Sequence, residues 1–310
     1  AYVEYATAKE NLNDHLYKSD EEQQVILTTA VDIIKLPYDS NEYTTLTGNG
    51  SMPYQIVVSQ DGNVYIALDY LAQYTALQYS VEQEPLHIII NNQWGTKTFS
   101  DVIKEESVRL DADIKSPILK KEATGDKVTV LEQEEEWTKV LTADGYIGYM
   151  KSKKLSDSYE EQITSDFRTA EYTSIHKDYD MNLLWHQVTS QDSNDALAAD
   201  IQDVKGVNVI SPTWFSISSN DGDISSLASS DYVDTAHQND MEVWGLMDNF
   251  STDIDTDTVL GTTTSRENLE GQLITEALNY QLDGINIDIE SLPEETSESY
   301  VHFTESSLIN

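Results

Sequence analysis

The chain has 310 residues, with 18 Lys and Arg against 56 Asp and Glu, and its formal net charge at pH 7 is −38. Such an acidic surface repels the phosphates of DNA and RNA, so nucleic acids are excluded as expected partners. The chain has no cysteine, which excludes disulfides and cysteine-ligated metal centres. No apolar run reaches the roughly 18 residues that a membrane span needs.

Residues 1–112 are predicted to form a small α+β accessory domain. Asp61-Gly62 between two apolar runs indicates a hairpin turn, and leucines at helical spacing predict a helix over residues 67–79. The apolar runs of residues 64–90 resemble the small module at the N-terminus of copper amine oxidases. That resemblance implies an accessory module of the kind found in bacterial wall-associated proteins, without a copper role. A plain α+β packing domain is the alternative.

Residues 113–156 are predicted to form a small all-β barrel. Short apolar strands follow one another at a spacing of about 8–12 residues, with turns such as Asp144-Gly145 between them. The segment from Lys127 to Tyr149 resembles a bacterial Src-homology-3-like domain, which implies a wall-binding module. Trp137 is interpreted as a barrel-core residue, with a grip on a wall peptide as the alternative.

Residues 178–310 alternate between strand-like and helix-like patterns. Four strands are predicted, at residues 182–188, 206–211, 242–247 and 285–289. Helices are predicted between them, and the last one is expected to begin at a capping box of Thr264 and Glu267. Four successive βα repeats predict a parallel sheet, which is either doubly wound or the first half of a (β/α)8 TIM barrel.

The segment from Asp283 to Glu290 carries the strongest chemical pattern in the chain. Asn286, Asp288 and Glu290 alternate with isoleucines, so they share one face of the predicted strand. A parallel strand is normally apolar on both faces, and Glu290 stands at the carboxyl end, where (β/α)8 enzymes place catalytic groups. Ionised Asp288 is expected to raise the pKa of Glu290 and so let it act as a general acid. The alternative is an amphipathic strand whose acids face water.

The pattern Asp283-x-x-Asn286-x-Asp288-x-Glu290 resembles the fourth barrel strand of glycoside hydrolase family 18, and the three preceding strands resemble their counterparts. The resemblance is to the bacterial, wall-associated branch. It implies retaining, substrate-assisted hydrolysis of β-linked N-acetylglucosamine polymers, either peptidoglycan or chitin. Glu290 would be the acid and base, Asp288 would orient the substrate acetamide, and Asp283 would be an outer support. No cofactor or metal and a secreted or cell-wall location are implied.

Two departures from the family pattern bear on activity. Asn286 stands where the family has a second Asp, so Asp288 loses a repelling neighbour and is expected to ionise more easily. Only four of the eight strands precede Asn310, against roughly 250 residues for a complete barrel. The chain is therefore expected to be a truncated piece, inactive until the rest of the barrel is supplied.

Three residues after the second and third strands are candidate substrate contacts. Trp214 is expected either to stack on a sugar ring or to pack in the core. Asp248 and Asn249 are expected to hydrogen-bond sugar hydroxyls, with a simple turn as the alternative. The competing function is a non-catalytic cell-wall or carbohydrate-binding protein that uses the barrel as a sugar platform. A third interpretation is an unrelated doubly wound α/β protein.

Overall fold

The structure is a computed structural model that describes residues 1–168, 170–171 and 176–307. The strands are β1 (Tyr2–Glu4), β2 (Leu16–Ser19), β3 (Gln24–Thr28), β4 (Ile33–Pro37), β5 (Glu42–Thr45), β6 (Gly48–Ser51), β7 (Val57–Gln60), β8 (Asn63–Ala67), β9 (Gln78–Gln83), β10 (Leu86–Asn91), β11 (Gly95–Asp101), β12 (Glu106–Arg109), β13 (Ile118–Glu122), β14 (Lys127–Gln133), β15 (Trp137–Leu141), β16 (Ile147–Lys151), β17 (Tyr159–Ile163), β18 (Leu183–His186), β19 (Val209–Ile217), β20 (Ile224–Ser226), β21 (Glu242–Asp248) and β22 (Gly284–Asp288). The α-helices are α1 (Tyr5–Asn11), α2 (Leu68–Leu71), α3 (Leu197–Asp200), α4 (Ser230–Gln238), α5 (Thr256–Gly261), α6 (Thr263–Tyr280) and α7 (Ser297–Ser307).

The chain forms two compact units that interleave along the sequence. One unit contains Ala1–Asn13 and Tyr65–Thr169, and the other contains Asp14–Val64 and Ala170–Asn310. Residues 14–64 thus group with the C-terminal half, whereas the sequence pattern alone groups them with the rest of 1–112. The expected boundaries at 113–156 and 178–310 stay predictions.

The first unit is built mainly from antiparallel strands. Its largest sheet has seven strands in the order β13-β12-β16-β15-β14-β11-β17. Alternate residues of these strands point inward, and Val108, Val128, Val140 and Met150 form a buried core. Trp137 is also buried, and the Lys151 ammonium lies 4.0 Å from its ring centroid. The indole is therefore covered rather than open to a ligand.

The prediction of a helix over residues 67–79 is wrong in its length, because the observed helix is much shorter. α2 ends at Leu71, and residues 78–83 instead form strand β9, which pairs with β10 in antiparallel register. Cross-strand partners such as Tyr79 with Ile90 and Val81 with Ile88 stabilise this hairpin. Pairing between distant strands thus overrides local helical spacing. The expected Asp61-Gly62 turn is present, because both residues have the positive φ that such a turn needs.

The second unit contains a parallel sheet in the sequential order β18-β19-β21-β22. One face of this sheet is apolar and packs against helices: Ile210, Phe215, Val243 and Met247 belong to the same buried core as Leu269, Leu273 and Phe303. The opposite face carries the polar Asn286 and Asp288 together with the apolar Leu246. β20 adds to β19 in antiparallel register, so the helix predicted between the second and third strands of the parallel sheet begins only at Ser230, as α4.

A five-stranded antiparallel meander of β2 to β6 completes the second unit. It packs on α6 and α7 through polar as well as apolar groups. We name Tyr17, Glu22, Arg266 and His302 the junction cluster, because these side chains join the meander to the two helices. The His302 ring stacks on Tyr17 with 4.5 Å between centroids, and its Nδ1 lies 3.4 Å from the hydroxyl of Thr28 on β3.

Arg266 is the centre of the junction cluster and is only 1% exposed. Its guanidinium carbon lies 4.7 Å from the Tyr17 ring centroid, and its amino groups donate to the carbonyl of Leu260 and to Thr263 Oγ1. Cation–π contact and hydrogen bonds together compensate the burial of the charge.

Glu22 replaces the expected capping box of α6. Its Oε1 accepts hydrogen bonds from the Thr264 amide at 3.1 Å and the Thr264 hydroxyl at 3.2 Å. Thr264 lies inside the helix, and Thr262 is the N-cap residue. The expected pairing of Thr264 with Glu267 is therefore wrong, because a carboxylate from the meander already satisfies this helix terminus.

Candidate functional site

The carboxyl ends of β21 and β22 place two carboxylates side by side. Asp248 and Asp288 are the last residues of their strands and are direct partners in the parallel register. Register partners on neighbouring strands point to the same side of a sheet. Asp248 is only 7% exposed and accepts a hydrogen bond from the Phe250 amide at 3.1 Å, whereas Asp288 is half-buried. The structure thus brings these two predicted residues together.

Asn286 lies one step down the same face of β22. Its Nδ2 donates to Ser211 Oγ at 3.1 Å, across a sequence separation of 75 residues. Ser211 is on β19, so the two side chains reach toward each other over the intervening strand β21. The hydrogen bond fixes the amide orientation and leaves its carbonyl oxygen as an acceptor on the polar face.

Glu290 lies two residues beyond the end of β22, and its side chain is exposed. The Glu290 amide donates to Asn249 Oδ1 at 2.9 Å, and the Glu290 carbonyl accepts from Asn249 Nδ2 at 3.0 Å. Asn249 therefore contacts the backbone of Glu290 rather than open solvent. We name Asp248, Asn286, Asp288 and Glu290 the strand-end cluster.

Asp283 lies at the opposite end of β22 from this cluster. Its Oδ2 accepts hydrogen bonds from His237 Nε2 and from the Val243 amide, both at 2.8 Å. Asp283 and Asp288 are five positions apart in the sequence, which corresponds to a length of about 16 Å along an extended strand. The position fits a residue that secures the start of the strand, and it does not bring the carboxylate to the strand end.

Trp214 is buried in the core, which is one of its two expected environments. It is 2% exposed, its Nε1 donates to Asn194 at 2.8 Å, and its ring meets that of Tyr232 edge-on at 4.9 Å. Burial, and to a lesser degree the Asp200 carboxylate, raises the pKa of Tyr232. A register shift beside Thr213 turns the indole inward, and this shift has no signal in the sequence pattern.

Trp185 is an exposed aromatic residue that is not among the substrate contacts expected from the sequence. Its side chain is on β18 and is 67% exposed. Trp185 is the register partner of Ser211, which in turn bonds to Asn286. The indole therefore projects from the same sheet face as the strand-end cluster, where it offers an apolar platform to a ligand.

The strand-end cluster combines acidic side chains with an amide on one open face. None of the ion pairs found within the described ranges involves Asp248, Asp288 or Glu290. Over the same ranges, no group of three or more His, Cys, Asp or Glu side chains is arranged to hold a metal ion. No helix there is long and apolar enough to cross a membrane. The arrangement can accept hydrogen bonds from a polyhydroxylated ligand and can exchange protons with it.

One segment of the chain matches a known family by sequence, and several solved structures have low similarity to the chain. Residues 107–156 match the family described as bacterial SH3 domain. No curated protein sequence matches the chain. The spore cortex-lytic enzyme SleL of Bacillus cereus has a TM-score of 0.37 at 17% identity, and the comparison covers 46% of this chain and 36% of that chain.

Two further structures have similar values. SleL of Bacillus megaterium gives a TM-score of 0.35 at 18% identity, over 47% of this chain and 35% of that one. A chitinase of Bacteroides thetaiotaomicron gives 0.35 at 17% identity, over 42% of each chain. The chain thus spans about two-fifths of the length of such structures, and the sequence match establishes an SH3-like segment within a multidomain, β-rich chain.

Proposed function

We propose that the strand-end cluster is the acid–base site of a glycoside hydrolase that acts on β-linked N-acetylglucosamine polymers. The observation that carries the proposal is the register of Asp248 with Asp288 at the carboxyl ends of adjacent parallel strands. Ligand sites of α/β sheets are typically found at these ends. Asn286 adds an amide to the same face, and Glu290 follows directly on the chain.

The proposed reaction is retaining and substrate-assisted, as the resemblance to glycoside hydrolase family 18 implies. Glu290 gives its proton to the glycosidic oxygen while the bond from that oxygen to the anomeric carbon breaks. The carbonyl oxygen of the substrate's 2-acetamido group attacks the same carbon and forms an oxazolinium ion. Asp288 accepts the acetamide N–H and stabilises the positive charge. Water then attacks the anomeric carbon, the bond from that carbon to the acetamide oxygen breaks, and Glu290 takes up the proton of the water.

The remaining predictions are part of the same proposal. The sequential parallel order of four strands supports the first half of a (β/α)8 barrel. The SH3-like segment favours peptidoglycan over chitin and an extracellular, wall-associated location. Asp248 would contribute to the electrostatic environment of Asp288, and Trp185 would stack on a sugar ring of the polymer.

A non-catalytic sugar platform is the second candidate function. The observation that favours it is the exposed side chain of Glu290, which lies beyond the last paired residue of β22. An open carboxylate beside the exposed Trp185 indole could bind a glycan without cleaving it.

The test is release of reducing ends from peptidoglycan and from N-acetylglucosamine oligomers by the complete protein, because the present chain is expected to be inactive by itself. We expect Glu290→Gln to lower the release rate by at least about 100-fold, the size of a general acid–base contribution, while binding of the oligomers is kept. Glu294→Gln is the matched control, because Glu294 is exposed and lies four positions further along the chain. Binding without release by the wild type would establish the sugar platform instead.

A further inference from the structure

Asn249 extends the pairing of β21 and β22 beyond the last backbone contact. The strand ladder ends at Asp248 and Asp288. Beyond it, the Asn249 carboxamide receives the Glu290 N–H at 2.9 Å and donates to the Glu290 carbonyl at 3.0 Å. The side chain therefore satisfies both backbone groups of Glu290, as a neighbouring strand would.

The carboxamide has no donor left over for a substrate. A side-chain amide carries two N–H bonds, and Asn249 Nδ2 contacts the Glu290 carbonyl and also Thr256 Oγ1 at 3.1 Å. Thr256 is the first residue of α5. The backbone of Glu290 is thus tied through one side chain to the helix that follows β21. A hydrogen bond from a sugar hydroxyl to Asn249 would therefore have to use its Oδ1 as the acceptor.

The backbone immediately after Glu290 has a conformation that does not form readily by itself. Ser291 has φ +57°, in the left-handed region that costs a non-glycine residue about 1 kcal/mol or more. Without a contact that fixes Glu290, more relaxed conformations of residues 290–291 would compete with the observed one. The two hydrogen bonds between Asn249 and Glu290 lie directly before this turn and stabilise the observed backbone conformation.

From these contacts we infer that Asn249 is a positioning residue, which fixes the backbone that presents the Glu290 carboxyl group to the substrate. The inference rests on the proposed hydrolytic function of Glu290. It assigns to Asn249 an effect on the chemical step rather than on substrate affinity, because its hydrogen-bonding groups are directed at the protein. Displacement of a reacting group by about 1 Å costs on the order of 100-fold in rate.

The experiment compares Asn249→Ala with wild type in the reducing-end assay on the complete protein. We expect kcat to fall by about 10- to 100-fold and KM to change by less than about threefold, since the change is not in ground-state binding. Amide hydrogen exchange should be faster at Glu290 in the variant, because its N–H loses its acceptor. Asn220→Ala is the matched control: Asn220 Oδ1 accepts from the Asp255 amide in the same loop region and does not contact Glu290.

The conservative variant Asn249→Asp separates positioning from simple folding. It keeps the acceptor for the Glu290 amide and loses both donors, so we expect a kcat between those of Asn249→Ala and wild type.

The outcomes distinguish this inference from the proposed function. An active wild type with an equally active Asn249→Ala variant, or a variant whose KM rises while kcat stays constant, overturns the positioning role alone. A wild type that binds oligomers without cleaving them overturns the hydrolase, and with it the reaction that Asn249 would serve. Loss of kcat at constant KM together with faster exchange at Glu290 supports both.

Discussion

The junction cluster and the strand-end cluster lie in the same unit, but they differ in how their charged side chains are paired and exposed. In the junction cluster, the buried Arg266 has a ring, a carbonyl and a hydroxyl as partners. In the strand-end cluster, Asp248 and Asp288 are paired in register as like charges, and Glu290 is exposed. Buried charge is tolerated where partners compensate it, whereas adjacent acids on an open face do not stabilise a fold.

This difference distinguishes polar groups that stabilise the fold from polar groups that can contact a ligand. The junction cluster contains an arginine, a histidine, a tyrosine and a glutamate, a composition that would suit catalysis. Its groups nevertheless contact one another and the backbone across the meander and the helices. The strand-end cluster has fewer residue types, but its Glu290 side chain is exposed and Asp288 is half-buried. Substitutions in the first should therefore lower stability, and substitutions in the second should lower activity.

The largest expected effect on stability is that of Arg266→Met. The variant keeps much of the side-chain volume but leaves the Leu260 carbonyl and Thr263 hydroxyl without their donor. We expect the free energy of unfolding to fall by about 3 kcal/mol, measured by urea unfolding of the full chain. Arg168→Met, at an exposed position, is the control. A loss below about 0.5 kcal/mol, the range of ordinary surface substitutions, would contradict a structural role.

A smaller effect with a defined pH dependence is expected for Glu22→Gln. Burial alone would raise the pKa of Glu22, but hydrogen bonds from Thr263, the Thr264 amide and Gln24 outweigh it and lower the pKa. A lowered pKa means that the carboxylate contributes stability above the unfolded-state pKa of 4.5 and loses it as the pH falls further.

We expect Glu22→Gln to lower the free energy of unfolding at pH 7 by about 1 kcal/mol, the typical size of a helix cap. The difference from wild type should narrow as the pH drops below 4.5. Urea titrations at several pH values measure this, with the exposed neighbour variant Glu21→Gln as control. A difference that stays constant down to low pH would show that the charge of Glu22 has no part in the cap.

The smallest effect on stability is expected for Asp288→Asn. The substitution removes one of two like charges that are register partners, so the free energy of unfolding should change by no more than about 0.5 kcal/mol, or rise slightly. Release of reducing ends should be lost at the same time. If urea unfolding instead shows destabilisation as large as that of Arg266→Met, Asp288 stabilises the fold as the junction cluster does. The distinction between the two clusters would then be contradicted.

Patterns of period two were sufficient to predict the core of the candidate site. Asn286 and Asp288 alternate with Ile285 and Ile287, and the structure places the isoleucines against the helix-covered core and the polar residues on the other face. The parallel order of the four C-terminal strands also follows from the βα alternation. These features are visible because they depend on residues close together in the sequence.

Contacts between distant residues could not be predicted in the same way. The Asn249 contacts with Glu290 span 41 residues, and the Glu22 contacts with Thr264 span 242. The first assigns Asn249 a contact with the backbone of Glu290 that the sequence pattern does not show, and the second removed the capping box expected at Thr264. The register shift in β19 beside Trp214 likewise has no signal in the sequence pattern.

The interleaving of the two units has a consequence for dissecting the protein into fragments. Each unit is made of two stretches of chain, and each stretch of one lies next to a stretch of the other in sequence. A cut after residue 64 deprives the first unit of residues 1–13, and a cut after residue 169 deprives the second of its meander. No single proteolytic cleavage therefore separates the two units from each other.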